Sequence, residues 1–400
     1  MSAKGLLVGG LLVLGAISTA MAAEPALKLK EGDLWVMAGD SITAQRQHSN
    51  YIEAFFRTRY PGLKPQFRNS GIGGNTTASV LARFDYDLAA FKPTIISIEL
   101  GMNDVGAGDD PAKYVAGMQK LIDQIRAVKA TPVLISSSPV NDGSKLDDWK
   151  GDRCRRIHPY TLALAKLAEE NKVLFVDQYH PLLAQWGNNK ADAEKAINLE
   201  GDPVHPGPTG QLTMAATILA GLGVDREVSS ATLKADGTVE EAKGCKISDV
   251  KAAGGVLSFT RLDERSPWPI HAKCRNALKL MPEIADLSRY MLKVTGLPAG
   301  DYVVLTNGTE AAQVTAEQLA AGWNMSTVAS GIIAERGTKL VDQIGQLQGP
   351  LNNAWRAASK AKDSAKLAEA QAAIDAAETA LAAACQPVAI QFEIRPAASR

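Results

Sequence analysis

The 400-residue sequence has four cysteines, no Cys-x-x-Cys pair and no excess charge of either sign. So few thiols, none closely spaced, exclude a disulfide-stapled scaffold and a zinc ribbon. Lysine plus arginine number 43 and aspartate plus glutamate 43, which excludes a strongly basic nucleic-acid binder and an acidic disordered tail as the main business of the chain. The apolar run Gly5–Ile17 falls well short of the ~20 residues that span a bilayer. With 46% hydrophobic and 22% charged residues, usage is that of a folded soluble chain rather than a disordered one. No internal period marks a repeat protein. What remains is a chain too long for one ordinary core, and two domains are expected.

The first two dozen residues have the charged, apolar, small order of a secretory signal: Lys4, then Gly5–Ile17, then Ala20-Met21-Ala22. This predicts a signal peptide over 1–22, a secreted or periplasmic protein, and no stable membrane insertion after cleavage; a membrane anchor is the alternative. No cysteine follows the small residues, so no lipid anchor is indicated. In an oxidising compartment Cys154, Cys245, Cys274 and Cys385 can form two disulfides in any of three pairings, or remain buried free thiols.

From 23 to about 225, short apolar runs alternate with amphipathic stretches. LWVMA (34–38), PQFRNSG (65–71), TIISIEL (94–100), TPVLISSS (131–138) and KVLFVD (172–177) read as strands, with helical spacing between them and over 211–222. Such alternation predicts an α/β fold with a parallel sheet covered on both faces. Ligands in such sheets sit at the carboxyl ends of the strands. The region 226–400 reads as a small β-rich accessory domain, with strands in 246–261, 301–308 and 388–394. Within it, about 334–384 predicts a helical hairpin broken at Gly349-Pro350. Residues 351–384 contain no glycine or proline and suggest one long helix packed on its own domain. That helix lacks sustained apolar heptads, so a coiled-coil dimer is weakly supported and the oligomeric state stays open.

Four short blocks carry chemistry. Gly39-Asp40-Ser41 follows the first strand, where a hydroxyl projects into the cleft; a plain turn with Ser41 as helix cap is the bland alternative. Asn69 to Thr76 (NSGIGGNT) is a glycine-rich loop, without the Lys-Ser/Thr of a phosphate loop. Gly101-Met102-Asn103-Asp104 closes the central strand and can aim a carboxamide into the cleft. Asp202-Pro203-Val204-His205 puts a carboxylate three residues before an imidazole, as a triad needs to hold its base in one tautomer. Jointly they supply a nucleophile, a base, an orienter and oxyanion donors on one rim.

These residues resemble the SGNH hydrolase superfamily, also called GDSL esterases, over about residues 30–225. Ser41 matches the nucleophile, Gly74 and Asn103 the oxyanion positions, and Asp202 and His205 the DxxH block; the first block reads GDSI. The resemblance implies a flavodoxin-like three-layer α/β/α fold and ester hydrolysis that needs no metal or cofactor. Export and the lack of an apolar lid near the blocks favour a small-molecule or polysaccharide ester, with an acetylated carbohydrate preferred and no role for nucleic acid. A glycan O-acetyltransferase using the same acyl-serine, or a carbohydrate-binding or structural protein, are the alternatives. Among the other histidines, His48 is expected on a helix surface, and His158 and His180, each before a proline, in loops. His271 can border the site if the second domain covers the cleft. Trp268, in RLDERSPWPI (261–270), is a candidate contact to the site or a domain interface.

Overall fold

The computed structural model describes residues 27–398 apart from 109, 141–151 and 192–193, with side chains omitted at 152–155. The expected signal segment, 1–22, lies outside the described residues. Five strands, β1 (Leu34–Gly39), β2 (Gln66–Gly71), β3 (Ile95–Glu99), β4 (Thr131–Ile135) and β5 (Leu174–Val176), form an all-parallel sheet in the order β2-β1-β3-β4-β5. Helices α1 (Ser41–Ala44), α2 (Gln47–Arg59), α3 (Thr77–Arg83), α4 (Met102–Gly106), α5 (Pro111–Ala127), α6 (Asp152–Asn171), α7 (Tyr179–Ala191) and α8 (Pro208–Gly221) connect them. Side chains along a strand point alternately to opposite faces. Val36 and Ala38 therefore enter one core with α3 and α5, and Trp35 and Met37 enter another with α2 and α8. This is the expected three-layer α/β/α arrangement.

The C-terminal half adds two sheets around a third core. Strands β6 (Glu227–Lys234), β7 (Val239–Lys243), β8 (Cys245–Ala253) and β9 (Val256–Asp263) are followed by helix α9 (Asn276–Leu280) and strands β10 (Arg289–Thr295), β11 (Asp301–Thr306) and β12 (Thr309–Thr315). Helix α10 (Ala316–Ala321), strand β13 (Trp323–Asn324), helices α11 (Gly331–Gln346), α12 (Asn352–Ala361) and α13 (Ser364–Ala384), and strand β14 (Ile390–Pro396) complete it. The sheets run β13-β10-β6-β7 and β12-β11-β14-β9-β8, and in the second sheet the cross-strand neighbours Phe259 and Phe392 stack at 5.2 Å within the core.

Two expectations for the hairpin are corrected. Gly349-Pro350 does not break it: the backbone widens into a π turn over Leu347–Leu351, which accommodates the missing proline N–H, and continues into α12. The reversal comes instead at Lys362, in the left-handed region (φ 54°), where Asp363 caps α13 by accepting the Lys366 N–H. Nor does the hairpin pack chiefly on the β-rich half, which the start of α11 touches through Ile332 and Ile333. Ile344, Leu347, Trp355, Ile374 and Leu381 join the core of the α/β half, with Trp355 stacked on Phe91 at 3.8 Å.

The polar face of the hairpin caps β2, the sheet's outer strand. Gln348 accepts the Asn69 N–H at 2.9 Å and donates to Phe67 O at 2.7 Å, and Asn352 and Arg356 donate to Asn69 O at 2.6 and 2.8 Å. An edge strand left bare invites pairing with another chain, and here side chains occupy its hydrogen-bonding groups. Deeper in, Glu378 of α13 joins Arg57 of α2 at 2.8 Å and Arg68 of β2 at 2.5 Å, all three buried. Cys245, Cys274 and Cys385 are free thiols, so the two-disulfide alternative is not realised; Cys274 lies against the Tyr51 hydroxyl at 3.0 Å and Cys385 is buried under the hairpin. The Cys154 side chain lies outside those described.

Removing one partner of a buried ionic cluster leaves its counter-charges unpaired, which costs about 3–5 kcal/mol. Glu378→Ala should therefore lower unfolding stability by that order, read as a shift in the urea midpoint, whereas substitution of the exposed pair Lys166–Glu170 should change it by less than about 0.5 kcal/mol.

Candidate active site

Strand β1 ends at Gly39, and Asp40 caps the short helix α1 by accepting the Ile42 N–H at 2.9 Å. The cap is thus Asp40 and not Ser41, which leaves the serine hydroxyl available to the rim. Helix α1 crosses the end of β2 so closely that a Cβ on Gly71 would lie 2.3 Å from Ala44 N; only glycine permits that crossing.

On the far side of the rim, Asp202–His205 forms a tight loop closed by a bridge between Gly201 and Pro206. Asp202 Oδ1 accepts the N–H groups of Val204 and His205, both at 2.8 Å, which pins the carboxylate beneath the ring. His205 Nδ1 lies 2.9 Å from Asp202 Oδ2, and Nε2 lies 2.8 Å from Ser41 Oγ. With Nδ1–H donating to the carboxylate, Nε2 carries the lone pair that accepts the serine proton. The hydrogen bond from the His205 side chain, then that from its backbone, holds the Asp202 carboxyl below its usual range. Ser41 and His205 are 164 positions apart in the chain.

The glycine loop and Asn103 meet beside them. Asn75 N donates to Ile72 O at 3.2 Å, closing a turn in which Gly74 takes φ 75°. A left-handed residue at the third position of such a turn favours glycine. Gly73 is the nearer glycine to the nucleophile, its Cβ position being 3.9 Å from Ser41 Cβ, while the space around Gly74 is open. Asn103, at the start of α4, donates its Nδ2 to Asn75 O at 3.1 Å, so the carboxamide stands against the Gly74 loop.

Beneath Ser41 lies a buried polar cluster that the sequence reading did not anticipate. His48 is buried, not on a helix surface as expected: Nε2 is 3.0 Å from Glu99 Oε2 and Nδ1 is 2.7 Å from Gln211 Oε1. Both ring nitrogens face acceptors, an arrangement that favours the doubly protonated ring. Burial opposes that charge, but the Glu99 carboxylate and the hydrogen bonds to Glu99 and Gln211 outweigh it and raise the His48 pKa. Glu99 also accepts from Gln178 at 2.8 Å. Asp40, buried beside this cluster, has its pKa pushed up to about 7, chiefly by burial and then by the Glu99 charge. One signal was available: Glu99 is the one charged residue of a fully buried strand. Asn69 was likewise unmarked. It donates to Thr43 O and Ser49 Oγ, each at 2.8 Å, and so ties β2 to the two helices that follow Ser41.

The remaining candidates separate. His158 and His180 lie in helices α6 and α7 rather than in loops: Pro181 falls in the first turn of α7, where no N–H is needed, whereas Pro159 is carried inside α6. Their Nε2 atoms are 3.2 Å apart, and His180 Nδ1 is 2.6 Å from Asp177 Oδ2. Trp268 is 1% exposed, donates to Tyr51 O at 2.8 Å and packs edge-on against Tyr51 and Phe55; it fastens the two halves and does not face the rim. A cavity of about 60 Å³ behind it is lined by none of the four blocks. An open cleft of about 630 Å³ is bordered by His271 together with Gln45 and Pro208, which follow Ser41 and His205 closely in the chain.

The sequence profile of the GDSL-like lipase/acylhydrolase family matches residues 37–212. An acetylxylan esterase of Geobacillus stearothermophilus is 25% identical over 224 residues, covering 50% of this chain and 98% of its own. An arylesterase of Vibrio mimicus is 28% identical over 183 residues, covering 44% of this chain and 81% of its own. Among solved structures, that of a gut microbial diltiazem-metabolizing enzyme matches with a TM-score of 0.79 at 21% identity, over 92% of this chain and 99% of that one. At that identity the likeness establishes the fold, and its coverage extends through the C-terminal half.

The buried cluster carries a pH signature. A carboxyl with a folded pKa of about 7 against 3.8 unfolded holds its proton more tightly when folded. Its contribution is complete at low pH and is lost as pH rises through 7. The raised pKa of His48 acts in the same direction above its unfolded value. Asp40→Asn should therefore gain stability relative to the parent between pH 4 and pH 8, by up to about 4 kcal/mol, measured from urea midpoints across that range.

Proposed function

Since residues 37–212 belong to the SGNH hydrolase superfamily of carboxylic ester hydrolases, we propose that this chain removes acetyl groups from a carbohydrate through an acyl-serine formed on Ser41. The observation that carries this reading is the continuous hydrogen-bond line Asp202–His205–Ser41, with distances of 2.9 and 2.8 Å. His205 Nε2 takes the Ser41 proton as Oγ attacks the ester carbonyl, and Asp202 holds the ring and stabilises its charged form. The oxyanion is received by the N–H groups of Ser41 and Gly74 and by the Asn103 carboxamide, which leaves Asn75 O to do so. His205 then protonates the departing alcohol, and water releases acetate by the same steps in reverse.

The acetylxylan esterase among the relatives supports an acetylated sugar as substrate. The apolar segment Gly5–Ile17 ahead of Ala20-Met21-Ala22 supports export, and with it a polymeric or nutrient ester outside the cytoplasm.

Three measurements test the reading. Ser41→Ala should lower kcat on 4-nitrophenyl acetate at least about a thousandfold; undiminished turnover would remove the mechanism. Asn103→Ala should cost about 10²–10³ in kcat with KM changed less. Across a chromogenic acyl series, activity should be highest at acetate and fall with length; a preference for chains beyond about eight carbons, which need a long apolar channel, would overturn the acetyl assignment.

A further inference from the structure

The open cleft whose lining begins four residues after Ser41 is built from both halves of the chain. Its near wall follows the catalytic residues directly. Gln45 closes the α1 turn by donating its N–H to Ser41 O at 3.1 Å, and Pro208 stands three residues beyond His205. Its far wall comes from the C-terminal half, through His271 and Lys273 before α9 and Asp342 and Gln346 on α11. An SGNH core alone would leave that side open.

Resting on the ester-hydrolase reading of Ser41, we infer that this cleft binds the alcohol half of the substrate and that this half is a sugar chain. The lining is rich in carboxamides: Gln45, Gln47, Asn50 and Gln346. A primary amide offers two donors and an acceptor, the complement of neighbouring hydroxyl groups. Cationic Arg46 and Lys273 face anionic Asp342 across the same space, so the cleft presents no field of one sign and suits a neutral ligand. Tyr51 is its one aromatic wall residue, and the Tyr51 hydroxyl is engaged with Cys274 Sγ at 3.0 Å. An aryl or fatty alcohol here would desolvate the amides without replacing their hydrogen bonds.

Asn50 points to a ligand independently. It is 8% exposed and lines the cleft, yet its Oδ1 has no hydrogen-bond partner. Buried polar atoms are nearly always satisfied, so an unpartnered amide oxygen in the cleft wall can take a donor such as a ligand hydroxyl once the side chain turns toward the cleft. The wall beside it is braced for the purpose. Arg46 enters α2 in the left-handed region (φ 61°), and its guanidinium is tied to Asn353 Oδ1 at 3.0 Å on α12. Helix α11 passes Asn50 at Gly345, where a Cβ would lie 3.9 Å from Asn50 Nδ2. The cleft's volume of about 630 Å³ lies within the ~300–1,000 Å³ of small-ligand sites and admits a short sugar segment.

The test uses the full chain and two esters, 4-nitrophenyl acetate and O-acetylated xylo-oligosaccharides, with Gln346→Trp to obstruct the cleft and Asn50→Leu to remove its orphan amide. Melting temperatures confirm folding. In Gln346→Trp the ratio of kcat/KM for the oligosaccharide to that for 4-nitrophenyl acetate should fall at least about tenfold. In Asn50→Leu the oligosaccharide KM should rise about fivefold or more. An unmoved ratio, or equal losses on both esters, overturns the assignment. Parent protein that cleaves 4-nitrophenyl acetate but no acetylated oligosaccharide overturns the sugar cleft and leaves the esterase standing. Parent protein that cleaves neither ester removes the Ser41 reading, and this inference with it.

Discussion

The outer edge of β2 has no sixth strand beside it; Gln348, Asn352 and Arg356 of the C-terminal hairpin occupy its hydrogen-bonding groups instead. Much of the molecule depends on this substitution of side chains for a strand. Asn69, held there through its backbone, uses its own carboxamide to hold Thr43 and Ser49, and so sets the approach of the helices that carry Ser41 and His48. The same edge leads into the Gly73-Gly74 loop. A hairpin nearly three hundred residues downstream is therefore one step from the nucleophile's own helix.

Helix α2 shows what that covering demands. Every residue of Gln47–Arg59 except Gln47 is buried, although the helix includes His48, Glu53, Arg57 and Arg59. Charges stripped of water require partners. His48 finds Glu99 and Gln211, Arg57 finds Glu53 and Glu378, and Arg59 donates to the backbone carbonyls of Asp225, Glu227 and Leu287. Those partners come from the sheet, from α8, from the hairpin and from the entry to the β-rich half. One helix thus takes contacts from each layer, and Trp268 closes the remaining side on Tyr51 and Phe55.

This arrangement gives the two halves different work at one place. The α/β half supplies the hydroxyl and carboxamide from the helix starts that follow β1 and β3, and the carboxylate and imidazole from the loop before α8. The C-terminal half braces those loops from behind and builds one wall of the cleft in front. The proposed ester chemistry belongs to the first, and the proposed recognition of a sugar to the meeting of both.

Period and turn chemistry were enough to read the five parallel strands, the four blocks after them, and the β-strand character of the C-terminal half, because each is local: alternation, glycine at a left-handed turn, a carboxylate three residues from an imidazole. The burial of His48 and Glu99, the cap on β2 and the seat of the hairpin were not legible. A polar residue is surface or core according to its partner, and His48 meets Gln211 across 163 positions while Arg57 meets Glu378 across 321. The amino-acid order by itself determined which groups could do chemistry and on which loops they would stand. Only the tertiary structure decided which of the remaining polar groups would be enclosed, and which segments of the C-terminal half would border the cleft, since both follow from contacts between segments that no local pattern connects.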